Sequence, residues 1–172
     1  MEAVYYVYGC PFSGFIFILA ITFMKFLIAI GSKEYSEPTL RLGMRVAKAF
    51  NAAVTIVYVG EKISAFSTSG VHLAQENLEN WELDRQGVDV LAWAFKYLED
   101  NGYLSTGSGG EGFNIRKLVQ TDEDRCEVFL EGNHTQEVRL ILRNGDIIEQ
   151  LRDEVNKRAF DITIIGASKK RS

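Results

Sequence analysis

Residues 25–59, KFLIAIGSKEYSEPTLRLGMRVAKAFNAAVTIVYV, constrain the fold more than any other part of the chain. Phe26–Ile30 is an unbroken apolar run closed by Gly31, Ser32 and Lys33, the pattern of a strand buried on both faces. Ala53–Val59 is a second such run, rich in β-branched residues. Between them Leu40, Met44, Ala47 and Phe50 recur at helical spacing, with Arg41, Arg45 and Lys48 on the other side. Ser36 is placed to cap this helix, Pro38 falls in its first turn where a missing N–H costs nothing, and Asn51 ends it. A helix between two buried strands implies a parallel pair joined by a right-handed crossover.

The alternation continues downstream. Residues 60–75 read as a loop holding Ser64, Ser67, Thr68, Ser69 and Gly70. Asn77–Asp100 reads as a long helix with Leu83, Val90, Leu91, Ala94, Phe95 and Leu98 on its apolar side, ended by Asn101-Gly102. Trp81 and Trp93 belong to the core or an interface on that helix. Residues 105–112, STGSGGEG, form a linker rather than a phosphate loop, since neither a strand nor a helix flanks Gly107, Gly109, Gly110 and Gly112 directly.

Arg125–Gly132 and Glu137–Arg143 are apolar or alternating runs around Gly132-Asn133-His134-Thr135, which predicts a hairpin. In that reading Glu137–Arg143 is the third sheet strand and Arg125–Leu130 an appended edge strand. Asn144-Gly145-Asp146 turns the chain, Ile147, Leu151 and Val155 mark a helix, and Asp161–Ile165 is the fourth strand. The order β-α-β-loop-α-insert-β-α-β predicts an α/β fold with an open, doubly wound parallel sheet of Rossmann-like type. One domain, residues 24–172, carries an insert at about 104–136.

Residues 1–23 stand apart as an apolar extension, and no charge occurs between Ala3 and Met24. Three readings remain open: a membrane anchor over residues 4–24, an extra buried strand, or an extension upstream of a start at Met24. An apolar share of 47% with 24% charged residues excludes a disordered chain. A net charge of −4 argues against a general nucleic-acid surface. Cys10 and Cys126 form no CxxC pair and His72 and His134 lack partners at ligand spacing, so no metal site is expected and a reducing cytoplasmic compartment is the default. Asp122, Glu123, Asp124, Glu127 and Glu131 lack the spacing of a calcium loop and read as a solvated acidic edge. Asn133-His134-Thr135 spells a glycosylation sequon but reads as a hairpin turn, and His134 has no nucleophile or orienting acid beside it.

Three stretches carry a family resemblance. Glu34-Tyr35-Ser36-Glu37 matches the end of a first loop of the form Asp-Gly-Ser-x-x-Ser, and Val59 closes the second strand. Arg143-Asn144-Gly145-Asp146-Ile147-Ile148 matches the turn before a penultimate helix, and Asp161–Gly166 matches the fourth strand and its glycine. In this order they resemble the universal stress protein family, across about 110 residues that include 24–60, 76–102 and 137–172. The resemblance implies an adenine-nucleotide α-hydrolase-like fold, ATP as ligand, and a homodimer made through a fifth strand beyond the fourth.

Carried over position by position, the resemblance places nucleotide contacts at Gly31, Ser32, Lys33, Val59, Gly166, Ser168 and Lys169. The pattern is altered here. Gly31 stands where the family has the adenine-side Asp, Ser32 and Lys33 replace the loop Gly and Ser, and Lys169 replaces the second glycine. The distal Gly-Ser/Thr is missing, and the sheet edge beside Asp161–Ile165 is expected to be open to self-pairing. Ser32, Lys33, Lys169 and Lys170 are the residues placed for an anion at the strand ends. The expected function is a stress-response regulatory or binding domain, degenerate in ATP binding and with no catalytic residue. The alternatives are a ligand-free interaction or membrane-associated module, and a weak ATP-binding or ATP-hydrolysing protein.

Overall fold

The computed structural model describes residues 23–60, 85–105, 113, 118–122, 124–133 and 135–166. Its elements in chain order are β1 (Lys25–Ile30), α1 (Lys33–Ala49), β2 (Ala53–Gly60), α2 (Arg85–Asp100), β3 (Val119–Asp122), β4 (Arg125–Glu131), β5 (Glu137–Asn144), α3 (Ile147–Arg158) and β6 (Ile162–Ile165). They build one sheet in the order β3-β4-β5-β2-β1-β6. The four strands β5, β2, β1 and β6 are parallel neighbours, as the alternation predicts, and β4 and β3 are added antiparallel at one side. The result is a mixed, mostly parallel α/β sheet.

Alternation along the strands sorts residues between two faces. Phe26, Ile28, Val54, Ile56, Leu140 and Leu142 point to the larger core, where Leu40, Met44 and Ala47 of α1 and Val90, Leu91, Ala94 and Leu98 of α2 cover them. Leu27, Val57, Val59 and Ile141 point to the opposite face, against Leu151, Val155 and Phe160 of α3 and the turn after it. Helices on both faces make the sheet doubly wound. Gly43 brings α1 against β1, since a Cβ there would lie 2.5 Å from Ile28 Cδ1.

Several boundaries differ from expectation. Ser36 is not the cap of α1: the helix starts at Lys33, one turn earlier, so Pro38 lies inside it. Phe50 is 55% exposed rather than core, although its ring lies 6.2 Å from that of Phe26. Asn51 ends α1 in the left-handed region (φ 48°), as read, and Gly102 does the same after α2 (φ 68°). The first part of the expected long helix, with Trp81 and Leu83, lies outside the described residues, as do residues 1–22 and 106–112. Trp93 is partly buried against the larger core, 6.1 Å from the Tyr97 ring. No described helix is long and apolar enough to cross a membrane.

The hairpin forms, but β4 is not the edge. β3 lies outside it, and every residue of Val-Gln-Thr-Asp is exposed, so no apolar pattern announces it. Of the acidic residues of this region, Asp122 and Glu131 are exposed as expected, but Glu127 is buried. Arg125 and Arg143 are direct cross-strand partners on β4 and β5, a like-charge pairing that is unfavourable by itself. Glu154 of α3 resolves it: its Oε1 accepts from Arg125 Nε at 2.7 Å and from Arg143 Nη1 at 2.8 Å. Glu154 is wholly buried, and the two arginine side chains are 7% and 3% exposed.

The network spreads from this oxygen. Glu127 Oε2 accepts from Arg125 Nη2 at 2.9 Å and from Arg158 Nη2 at 3.0 Å, while Asp153 and Asp124 accept from Arg143 at 2.8 and 3.1 Å. Thr121 accepts from Arg125 Nη1, which ties in the outer strand. Burial alone raises the Glu127 carboxyl, but Arg125 and then Arg158 outweigh it and hold it below its ordinary value. The insert is thereby riveted to α3 through charge.

Glu154→Gln leaves Arg125 and Arg143 facing each other without a shared anion and is expected to cost about 3 kcal/mol or more. Lys157→Ala, which removes only the exposed pairs to Asp153 and Asp122, is expected to cost under about 1 kcal/mol. Urea denaturation of the two variants checks the contrast. Because the Glu127 carboxyl is depressed when folded, its contribution is present above the unfolded value near 4.5 and lost as pH falls through the folded one. Glu127→Gln should therefore flatten the loss of stability below about pH 4.5, measured as the urea midpoint against pH.

Candidate functional site

In a parallel sheet a ligand crevice forms beyond the carboxyl ends of the strands. Here the ends of β2, β1 and β6 are neighbours, with Ile30 opposite Tyr58 and Ala29 opposite Ile165. That register brings Gly31, Val59 and Gly166 to one end of the sheet. Gly31, Ser32 and Gly166 are exposed, and Val59 is buried beneath α3. Lys33 is the first residue of α1, although its side chain, like Ser168 and Lys169, lies outside what the structure describes.

The β1–α1 turn is short because one hydroxyl closes it. Ser36 Oγ accepts from the Gly31 N–H at 2.8 Å and donates to the Ser32 carbonyl at 2.7 Å. The Ser36 N–H donates to the same carbonyl at 3.1 Å, so the first helical turn and the end of the strand share one anchor. Ser36 is buried for this purpose. Ser32 occupies the cap position with extended backbone but accepts no hydrogen bond through its side chain. The first N–H groups of α1 therefore meet the crevice without a side-chain cap, the arrangement that favours an anion. At α3 the same groups are satisfied: Asp146 accepts from the N–H of Ile148 and of Glu149, each at 3.0 Å. Gly145 then donates to the Gly60 carbonyl at 2.9 Å and fixes the start of α3 to the end of β2.

Gly31 supplies no side chain to the crevice, and a Cβ built there meets nothing within 4 Å. Its backbone is not in the left-handed region. Larger residues fit this position without strain. Among the described residues no group of three His, Cys, Asp or Glu is arranged to hold a metal ion. Two concavities of the described structure lie elsewhere. One of about 480 Å³ is bordered by Asp124, Arg143, Gln150 and Asp153 beside α3, and one of about 270 Å³ lies at the opposite end of the parallel strands. The sequon residue Asn133 donates its side-chain amide to the Gly102 carbonyl at 3.1 Å, a structural clasp on the end of α2.

The profile of the universal stress protein family matches residues 22–172 of the 172. The chain belongs to this family. Among solved structures, the universal stress protein UspA from Lactobacillus plantarum is similar at 12% identity, with 87% of this chain and 81% of that one covered and a TM-score of 0.51. A universal stress protein family member from Burkholderia pseudomallei is similar at 14% identity, over 84% and 82% of the two chains, with a TM-score of 0.47. At 12% identity the likeness to UspA is one of fold. No curated protein sequence matches.

The chain thus shares the family's α/β sheet. The sequence pattern does not reveal the part played by Ser36, because a serine three residues inside a helix looks like a cap when the helix start is set one turn too late. Ser36→Ala is expected to cost about 1 kcal/mol through loss of the turn's shared hydrogen bonds, whereas Gly31→Asp should leave stability within about 0.5 kcal/mol. Thermal or urea unfolding of both variants checks this pair.

Proposed function

We propose that this universal stress protein is a stress-linked regulatory binding domain without turnover, in which recognition of adenine nucleotide is degenerate. The observation that carries the reading is the β1–α1 turn. It presents uncapped helix N–H groups beside Gly31 and Gly166, which suits phosphate, yet Gly31 has no side chain to meet the adenine side. A ligand held this way acts by shifting the population of conformers or partners, and needs no nucleophile or base.

The site would hold the phosphates of ATP through the N–H groups at the start of α1 together with Ser32, Lys33, Ser168 and Lys169. Val59 and Gly166 would form the neighbouring walls. Calorimetric titration of Mg-ATP into the full chain and into Gly31→Asp tests this reading. Weak binding by the unmodified protein, strengthened about tenfold or more by Asp at position 31, is the expected result. No binding by either protein would remove nucleotide from the reading.

A second reading, an interaction module, is favoured by exposed apolar side chains on the same end of the sheet. Ile147 and Ile148 at the start of α3 are 50% and 75% exposed, and Ile165 at the end of β6 is 61% exposed. β6 pairs with β1 on one side, and no described strand pairs with its other side. Self-association through that edge would give a homodimer. Sedimentation velocity of the full chain across a hundredfold range of concentration should show a monomer–dimer shift, and Ile165→Lys should weaken it.

A further inference from the structure

We infer that the cavity at the amino ends of the parallel strands, beneath the last turn of α3, binds a small phosphate monoester. The register of the sheet builds its floor. Lys25, Ala53 and Glu137 begin β1, β2 and β5 side by side on the α3 face, with Thr55 beside Arg139 in the next inward row. Lys157, Arg158 and Phe160 border it from α3 and the turn that follows. Four cations and one carboxylate thus surround a space of about 270 Å³.

Some of that charge is already balanced. Arg139 donates from Nε and Nη2 to Glu137 Oε1 at 3.0 and 2.6 Å, and its guanidinium lies 4.5 Å over the Phe129 ring. Arg158 reaches Glu127 at 3.0 Å and Glu154 at 3.7 Å, and Lys157 reaches Asp153 at 3.0 Å. Cations in the last turn of a helix also offset the negative end of its dipole, which is a sufficient reason for Lys157 and Arg158 to be there. Neither argument accounts for Lys25 or Thr55. No described carboxylate lies within ion-pair distance of the Lys25 ammonium, and only its backbone N–H is engaged, by Asp161 at 2.7 Å. Thr55 is 5% exposed and lines the cavity.

A threonine hydroxyl on the wall of a cavity is a hydrogen-bond donor for an oxoanion that enters it. The Arg158 guanidinium is moreover pushed below its ordinary value, by burial first and then by Arg125 and Arg139. An oxoanion satisfies all of these groups together. Phosphate accepts from a guanidinium fork, an ammonium and a hydroxyl at once. The space exceeds a bare ion, and the partly buried Phe160 ring gives an apolar wall for a short organic group. The site lies at the end of the sheet opposite the strand-end crevice, so it is independent of the ATP reading.

Glycerol 3-phosphate and inorganic phosphate, titrated separately into the full chain and followed by calorimetry, test the assignment. The ester is expected to bind saturably and about tenfold more tightly than inorganic phosphate. Lys25→Gln and Thr55→Val, each shown to be folded by its circular dichroism melt, should each weaken the ester about tenfold. Gly31→Asp should leave its binding unchanged, which separates this site from the crevice. Absence of saturable ester binding, equal affinity for the two probes, or unchanged binding in both variants would overturn the proposal.

Discussion

One carboxylate oxygen carries a disproportionate share of the architecture. Two arginines sit opposite each other on β4 and β5, both nearly without solvent, and Glu154 Oε1 accepts from both. Removing water from three charges costs several kcal/mol per ion, and that cost is offset only when geometry and further hydrogen bonds are good. Here Glu127, Asp153 and Asp124 supply further acceptors, though Glu154 Oε2 accepts no hydrogen bond. The smaller core on this face buries few apolar residues, so charge fixes where α3 sits over the strands.

That placement has consequences at both ends of the sheet. At the carboxyl ends, α3 begins at a turn locked by Asp146 and Gly145, which leaves its N–H groups satisfied. The uncapped start of α1 is then a helix terminus available to an anion. At the amino ends, the last turn of α3 holds Arg158 in the ionic network while closing a cavity over Thr55 and Lys25. The same network that pins the insert therefore also shapes the space beneath the helix.

Much of the fold was legible along the chain. The apolar runs of β1, β2, β5 and β6 and the helical stripes of α1 and α3 are local periodicities, and they placed the parallel core. β3 was not legible, because a four-residue strand with every side chain exposed has no apolar phase to read. The start of α1 was misplaced for a different reason: Ser36 has the chemistry of a cap but uses it across the strand end rather than at the helix end. Glu127 and Asp124 read as solvated because their partners Arg158 and Arg143 are remote in sequence. A signal did exist, in that Arg125 and Arg143 fall on the inward phase of their strands and Glu154 adjoins the apolar stripe of α3.

By itself the sequence determined the order of the parallel strands and the helices between them, and membership of the universal stress protein family. These follow from the period and identity of neighbouring residues. Only the tertiary structure decided which charges are buried and which groups share a cavity. Arg125 meets Glu154 across 29 positions, and Glu127 meets Arg158 across 31. Such pairings depend on strand register and on how a helix lies across the sheet, neither of which any local window of residues encodes.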